Sequence, residues 1–290
     1  MDFYNGKDLL QKCRENNLSI SAVMKSREAA MSSLSIEEID KKIGRTLSIM
    51  KQSATKPLKA PGKSIGGLIG GEAKQVAEHG KTVDSVCGST LSKAIAYSMA
   101  VLEVNASMGL IVAAPTAGSS GVVPGALLAL ADEHDIDDEK LCNGLVNASA
   151  IGYLLMRNAS VSGAEAGCQA EVGAASAMAA SAIVEIMGGT PEMCLNAACF
   201  ALSNLLGLVC DPIAGLVESP CQSRNAIGVA NALTSAELAL SGIKHHIPFD
   251  EMADAMLRVG RSLPFELRET AMGGCAGTPT GCTLGCGICK

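Results

Sequence analysis

The chain has 290 residues, of which 48% are hydrophobic and 18% are charged. This composition supports one large core or two closely joined ones, and it excludes a disordered chain. A net charge of -6 and an aromatic content of 2% exclude a nucleic-acid-binding surface, because such a surface needs clustered positive charge and aromatic rings that stack on bases.

The first residues, MDFYNGKDLLQKCREN, lack the basic start, apolar run and small-residue cleavage site of a secretory signal. The longest apolar stretch, 91–131, is interrupted by charged residues, proline and glycine, so we predict no membrane-spanning helix. We therefore expect a cytoplasmic protein that does not associate with membranes. In that reducing compartment the twelve cysteines do not predict disulfides, and most of them, including Cys142, Cys194 and Cys199, fit core packing.

The predicted elements are mainly helices. Residues 8–54 have apolar positions at helical spacing, and Ser35 with Glu38 has the Ser-x-x-Glu pattern of a capping box. We predict a helical hairpin over 1–56, followed by a Pro/Gly-rich loop over 57–71 that forms either a boundary or an active-site wall.

Residues 57–290 are predicted to form the core of the same single domain. Their helical segments are rich in Ala, Leu, Met and Ser and contain few aromatic or β-branched runs, which favours helix over strand. The predicted fold class is mainly α, an Ala/Gly-rich helical domain with Gly/Pro-rich loops. The helices are predicted over 85–108, 124–132, 138–156, 174–187, 191–208 and 224–241.

Three loops combine glycines with polar side chains: APTAGSSGVVPG (114–125), SGAEAGCQAEVG (162–173) and CDPIAGLVESPCQSRNA (210–226). In the first loop, glycines that include Gly118 let backbone N–H groups approach a ligand closely, and the hydroxyls come from Thr116, Ser119 and Ser120. This pattern suits a carboxylate or phosphate, and a tight connection between two buried helices is the alternative. No Lys-Ser/Thr pair follows the glycines, which excludes a Walker phosphate loop.

The second and third loops contain Cys168, Cys210 and Cys221. Their spacing is wider than that of a compact zinc or ferredoxin motif. Each cysteine nevertheless lies beside a carboxylate, a glycine or proline, and an amide or arginine, which is typical of a functional loop. The residues alone leave both core packing and a functional site open.

These loops, together with GGLIGGEAKQ and ETAMGGCAGTPTG, resemble the alpha chain of bacterial iron-sulfur-dependent L-serine dehydratases over nearly the whole sequence. The resemblance implies a mainly helical catalytic domain that converts L-serine to pyruvate and ammonia, a reaction of amino-acid degradation and gluconeogenesis. It implies a 4Fe-4S cluster and no pyridoxal phosphate, with Cys168, Cys210 and Cys221 as the three protein ligands. A cluster with one iron left open can act as a Lewis acid on the serine hydroxyl.

The reaction also needs a binding site for the substrate carboxylate and a base for the α-proton. Our candidates for binding the carboxylate are Thr116, Gly118, Ser119 and Ser120. Lys74 and His79 lie near a glycine-rich loop and are candidates for the base. A solvated surface position is the alternative for both, and a partner chain could also supply the base.

The C-terminal GCTLGCGICK carries Cys282, Cys286 and Cys289. Their spacing matches the radical S-adenosylmethionine signature, but only Lys290 follows and the chain lacks the strand pattern of a barrel. In some iron-sulfur serine dehydratases a C-terminal cysteine occupies the open iron until substrate displaces it. Cys289 is the nearest match and Cys286 the second, with a flexible tail as the alternative.

The resemblance covers the alpha chain alone, so it implies a separate beta chain as partner. Two other functions stay open at this point. One is a related lyase, an L-cysteine desulfidase that uses the same open iron. The other is a cysteine-rich redox or metal-buffering protein without enzymatic activity.

Overall fold

The computed structural model describes residues 1–82 and 85–288, and it confirms the predicted mainly α fold. Within these ranges the chain has no β-sheet, and an isolated bridge pairs Cys210 with Arg268. The helices are α1 (Gly6–Asn16), α2 (Ile20–Ser32), α3 (Ile36–Lys59), α4 (Glu72–Thr82), α5 (Gly88–Ala106), α6 (Val122–His134), α7 (Asp138–Asn158), α8 (Gly163–Ala166), α9 (Ala174–Ile186), α10 (Pro191–Asn204), α11 (Cys221–Leu240), α12 (Phe249–Ser262) and α13 (Pro279–Ile288).

The six helices predicted from 85 to 241 correspond to α5, α6, α7, α9, α10 and α11. Their ends differ from the prediction by a few residues. The largest difference that concerns the site is the start of α11, which begins at Cys221 rather than at 224. Proline is tolerated just before a helix, because the N–H it lacks would have no partner there, and Pro220 occupies that position.

The predicted N-terminal hairpin was wrong in the number of its helices, because the segment forms three: α1, α2 and α3. Asn17 and Ser33 adopt the left-handed conformation, with φ of 51° and 58°, and end α1 and α2. The side chains of Ser19 and Ser35 then cap the next helix in each case. The predicted loop over 57–71 is also shorter, since α3 continues through Pro57 to Lys59.

The predicted capping box at the start of α3 is present. Ser35 Oγ accepts the Glu38 N–H at 3.2 Å, and Glu38 Oε2 accepts the Ser35 N–H at 2.8 Å. We expect Ser35→Ala to lower the free energy of unfolding by about 1 kcal/mol, because one of the first N–H groups of the helix loses its partner. Urea denaturation measures this change. Lys41→Ala, at an exposed position of the same helix, is the control and should leave the unfolding free energy nearly unchanged.

The core is built around α9, whose residues from Ala174 to Val184 are all buried. This helix packs against α6, α7, α10 and α11. Its many alanines leave room for close packing of the neighbouring helices. Gly144 of α7 makes room in turn for the Ile186 side chain, because a Cβ atom there would lie 2.5 Å from Ile186. The second loop leads into α9 and the third loop continues into the start of α11, and these two helices pack on each other.

None of the helices in residues 1–82 and 85–288 has the length and apolar character needed to cross a membrane.

Candidate metal and substrate site

The three cysteines of the second and third loops lie at the ends of core elements. Cys168 precedes a π-helical turn, Gln169–Gly173, that leads into α9. Cys210 lies in an extended segment. Its N–H donates to Leu267 O at 2.9 Å, and its C=O accepts the Glu269 N–H at 2.7 Å. Cys221 is the first residue of α11, and all three cysteines are buried.

Cys168 and Cys210 come together with an acidic residue, Glu171. The two sulfur atoms and a Glu171 carboxylate oxygen all lie within 4.8 Å of one another. Glu171 Oε2 is 3.9 Å from the Sγ atom of each cysteine. Soft thiolates beside a carboxylate form a donor set that suits iron or zinc.

The surroundings of Cys210 and Cys221 disfavour their thiolate forms and raise the pKa of both thiols. A hydrogen bond with Cys168, followed by burial, raises the pKa of Cys210. Burial, followed by electrostatic interaction with Cys168 and Glu171, raises the pKa of Cys221. A bound cation reverses this effect, because a metal displaces the thiol protons and offsets the charge of the thiolates.

Glu171 joins these sulfur atoms to the first polar loop. Thr116 Oγ1 donates a hydrogen bond to Glu171 Oε1 at 2.7 Å, and burial raises the pKa of Glu171. At Gly118 a Cβ atom would lie 3.2 Å from the same Glu171 oxygen. The structure therefore brings Thr116 and Gly118 beside the cysteines.

The other two hydroxyls of this loop bond atoms of the loop itself. Ser119 Oγ lies 3.1 Å from Thr116 Oγ1, and Ser120 Oγ donates to Ala117 O at 2.8 Å. Asn225 of α11 fixes the loop from outside, since its Nδ2 donates to Gly118 O at 2.8 Å and its Oδ1 accepts the Gly121 N–H at 3.0 Å. The loop is thus held by Glu171 on one side and by Asn225 on the other.

Loop 60–71 is attached to the third loop by Glu218, which is 2% exposed. Glu218 Oε2 accepts the Ser64 hydroxyl at 2.6 Å and the Leu68 N–H at 2.9 Å. Glu218 Oε1 accepts the Gly66 N–H at 2.7 Å. This carboxylate therefore fixes loop 60–71 beside the segment between Cys210 and Cys221.

We expect Glu218→Gln to loosen loop 60–71, because an amide NH₂ group would face an N–H or O–H donor in place of a carboxylate oxygen. Leaving a buried donor without an acceptor costs about 1–3 kcal/mol. Hydrogen exchange at the Gly66 and Leu68 amides should become faster than in the wild type. Glu266→Gln, at an exposed position, is the control, and unchanged exchange in Glu218→Gln would refute this role for Glu218.

The two candidate bases both lie on α4. The Lys74 side chain is 38% exposed, and its Nζ atom is 3.5 Å from Glu78 of the same helix. His79 is exposed towards the C-terminal end of α4. Their role as base stays a prediction.

The C-terminal helix α13 carries Cys282 and Cys286, both exposed. It packs against the turn Ile213–Gly215, which lies between Cys210 and Cys221 in the chain. The C-terminal region therefore returns to the cysteine loops. Cys289, the first candidate for a tail ligand, lies outside the described residues.

Sequence comparison decides the family of this arrangement. A profile of the serine dehydratase alpha chain matches residues 15–276. The chain belongs to this family. The probable L-serine dehydratase alpha chain of Bacillus subtilis is 46% identical over 279 residues, which cover 96% of this chain and 93% of that relative.

Two further relatives in the serine dehydratase family differ from each other in length. The L-serine dehydratase alpha chain of Peptoniphilus asaccharolyticus is 46% identical over 95% of this chain and 94% of its own. The L-serine dehydratase of Streptomyces coelicolor is 36% identical over 94% of this chain but only 60% of its own. Family members therefore occur both at the length of this chain and as longer proteins.

Proposed function

We propose that this chain is the alpha chain of an L-serine dehydratase, a lyase that converts L-serine to pyruvate and ammonia. The observation that carries the proposal is the group of two buried cysteines, Cys168 and Cys210, with the half-buried Glu171, whose carboxylate accepts a hydrogen bond from Thr116. The names of the relatives support L-serine as the substrate.

The donor set supports a 4Fe-4S cluster held by Cys168, Cys210 and Cys221, since cysteine thiolates are the ligands such clusters use. Space beside the sulfur atoms depends on Gly163, where a Cβ atom would lie 2.9 Å from Cys210 Sγ and 2.6 Å from Glu171 Oε2. Bound through three protein thiolates, the cluster would supply a Lewis-acidic iron for the serine hydroxyl, without pyridoxal phosphate. A cytoplasmic location, expected from the sequence, would keep the three thiols reduced.

The first loop would orient the substrate. Thr116 and the backbone at Gly118 face Glu171, so a serine carboxylate bound at this loop would lie next to the cysteines. We propose that Thr116, Gly118, Ser119 and Ser120 together bind this carboxylate, and that the carboxyl group of Glu171 keeps Thr116 in place. A substrate bound through its carboxylate at this loop and through its hydroxyl at the cluster would point its α-hydrogen in one fixed direction.

A base has to remove that α-proton, and Lys74 and His79 of α4 remain our candidates. Loss of the α-proton and the hydroxyl group leaves an enamine and one water molecule. The enamine tautomerises to an imine, and water hydrolyses the imine to pyruvate and ammonia. These two last steps need no further group of the protein.

We further propose a separate beta chain as partner. The relatives of matching length from Bacillus subtilis and Peptoniphilus asaccharolyticus are both named as alpha chains. The longer relative from Streptomyces coelicolor has sequence outside the aligned part that a second chain would supply here.

The test is anaerobic purification and reconstitution with iron and sulfide, without pyridoxal phosphate, in the presence and absence of a candidate beta chain. We expect the broad absorption of a 4Fe-4S centre and formation of pyruvate from L-serine. Preferred turnover of L-cysteine would instead support a desulfidase. A metal-buffering protein would show no turnover with or without the beta chain. It would also lose its metal when the chain is truncated after Gly281.

A further inference from the structure

Arg224 lies on the first turn of α11, three residues after Cys221, and its side chain is 15% exposed. Its Nη1 atom lies 3.6 Å from Cys168 Sγ and donates to Val209 O at 2.9 Å. The same atom is 2.6 Å from Asp211 Oδ1. One guanidinium group therefore contacts the segment of Cys168 and both chain neighbours of Cys210, and it belongs to the helix that Cys221 begins.

Asp211 holds the guanidinium in this position. Its side chain is 3% exposed, and its second oxygen, Oδ2, accepts the Cys275 N–H at 2.6 Å. The close approach requires glycine at position 274, where φ is 57° and a Cβ atom would come within 2.2 Å of Asp211 Oδ2. The carboxylate is thus fixed from the C-terminal segment while it pairs with Arg224.

We infer that Arg224 is a positioning residue that holds the three cysteine segments in register for metal binding and donates an N–H to the Cys168 sulfur. This inference rests on the proposed function. The Nη1 atom carries two N–H groups in fixed directions, which can donate to the Val209 carbonyl and the Cys168 sulfur, while the guanidinium charge forms an ion pair with the Asp211 carboxylate. Partners that orient metal ligands from outside typically change metal affinity by about 10- to 100-fold when they are removed.

The first experiment compares Arg224→Gln and Arg224→Lys with the wild type after anaerobic reconstitution of the full chain. We expect Arg224→Gln to lose iron to a chelator about 10- to 100-fold faster than the wild type. Arg224→Lys should fall between the two, because its single ammonium keeps the charge but cannot reproduce the directions of the guanidinium donors. Arg258→Gln, at a position where the side chain is 72% exposed and pairs with Asp254, should behave as the wild type.

Asp211→Asn provides an independent variant in case Arg224→Gln folds poorly. An asparagine side chain can still accept the Cys275 N–H but no longer forms an ion pair with Arg224. We expect faster iron loss in the same direction, with the far-ultraviolet circular dichroism of the wild type. Arg224→Lys should lose iron more slowly than Arg224→Gln although the two variants have equal helix content. This result would separate positioning of the ligands from a general loss of fold.

Co²⁺ alone, added to the metal-free chain, is the second probe, because its absorption bands report thiolate coordination without cluster assembly. The Arg224→Gln variant should bind Co²⁺ about 10- to 100-fold more weakly than the wild type. Iron loss and Co²⁺ affinity equal to the wild type in Arg224→Gln would overturn the inference, as would a wild type that binds neither metal through its thiols. A wild type that holds iron but makes no pyruvate would count against the proposed function alone.

Discussion

Cys210→Ala is expected to lose both bound iron and the formation of pyruvate from L-serine. The residue lies within 4.8 Å of Cys168 and Glu171 donor atoms, and alanine removes one of three thiolates that the proposed cluster needs. Activity should fall at least about 100-fold, since Lewis-acid stabilisation of a leaving group contributes several kcal/mol and about 1.4 kcal/mol corresponds to a factor of ten in rate. Iron content and pyruvate formation, measured on one anaerobic sample, check the result.

Cys199→Ala is the matched control for this substitution. Cys199 is buried in α10, and burial, followed by the charge of Asp250, raises the pKa of its thiol to about 12. Cys199 does not belong to the group of Cys168, Glu171 and Cys210, and its position inside the core fits a packing role. Cys199→Ala should therefore keep its iron and its activity. Cys210→Ala with wild-type iron content would show that the metal is held elsewhere, and the cysteines of α13 would be examined next.

Glu171→Ala is expected to raise the KM for L-serine about tenfold or more. The substitution removes the acceptor that lies 2.7 Å from the Thr116 hydroxyl and opens space beside two sulfur atoms. A buried polar group that loses its partner costs about 1–3 kcal/mol, and about 1.4 kcal/mol is a factor of ten in affinity. Steady-state kinetics on reconstituted protein, with iron content measured in parallel, gives the KM per loaded site.

Glu165→Ala is the control for Glu171→Ala, because Glu165 lies in the same loop but is exposed. Its carboxylate accepts the Ser160 hydroxyl at 2.7 Å, and it lies 3.7 Å from Arg261. We expect a KM close to the wild-type value. If Glu171→Ala also retains the wild-type KM and kcat, the carboxylate does not organise the substrate loop.

The helices of the core could be predicted because their sequences are consistent over long segments. Helix α7 starts at Asp138, as predicted, and the side chain of Asp137 caps it. The extra N-terminal helix was missed although Asn17 and Ser19 carried the stop and start signals for it. Helical periodicity on both sides of so short a break continues almost in phase, so periodicity alone does not reveal the break.

The candidate site was only partly accessible from the sequence. The choice of Cys168, Cys210 and Cys221 came from the family resemblance, and the structure places Cys168 and Cys210 in one group with Glu171. Glu171 and Arg224 belong to the quoted loops, but a charged residue in a helical pattern is usually exposed. Both are half-buried, because tertiary packing brings α9, α11 and loop 114–125 together, and no local pattern reports this.

The central claim is that the reaction depends on a cluster held by these cysteines and accessible to substrate. The most direct measurement admits air in steps to the reconstituted enzyme and follows visible absorption and pyruvate formation from L-serine in the same sample. An iron site open to a substrate is also open to oxygen, so we predict that absorption and activity fall in parallel. Full activity after complete bleaching of the absorption would contradict the claim.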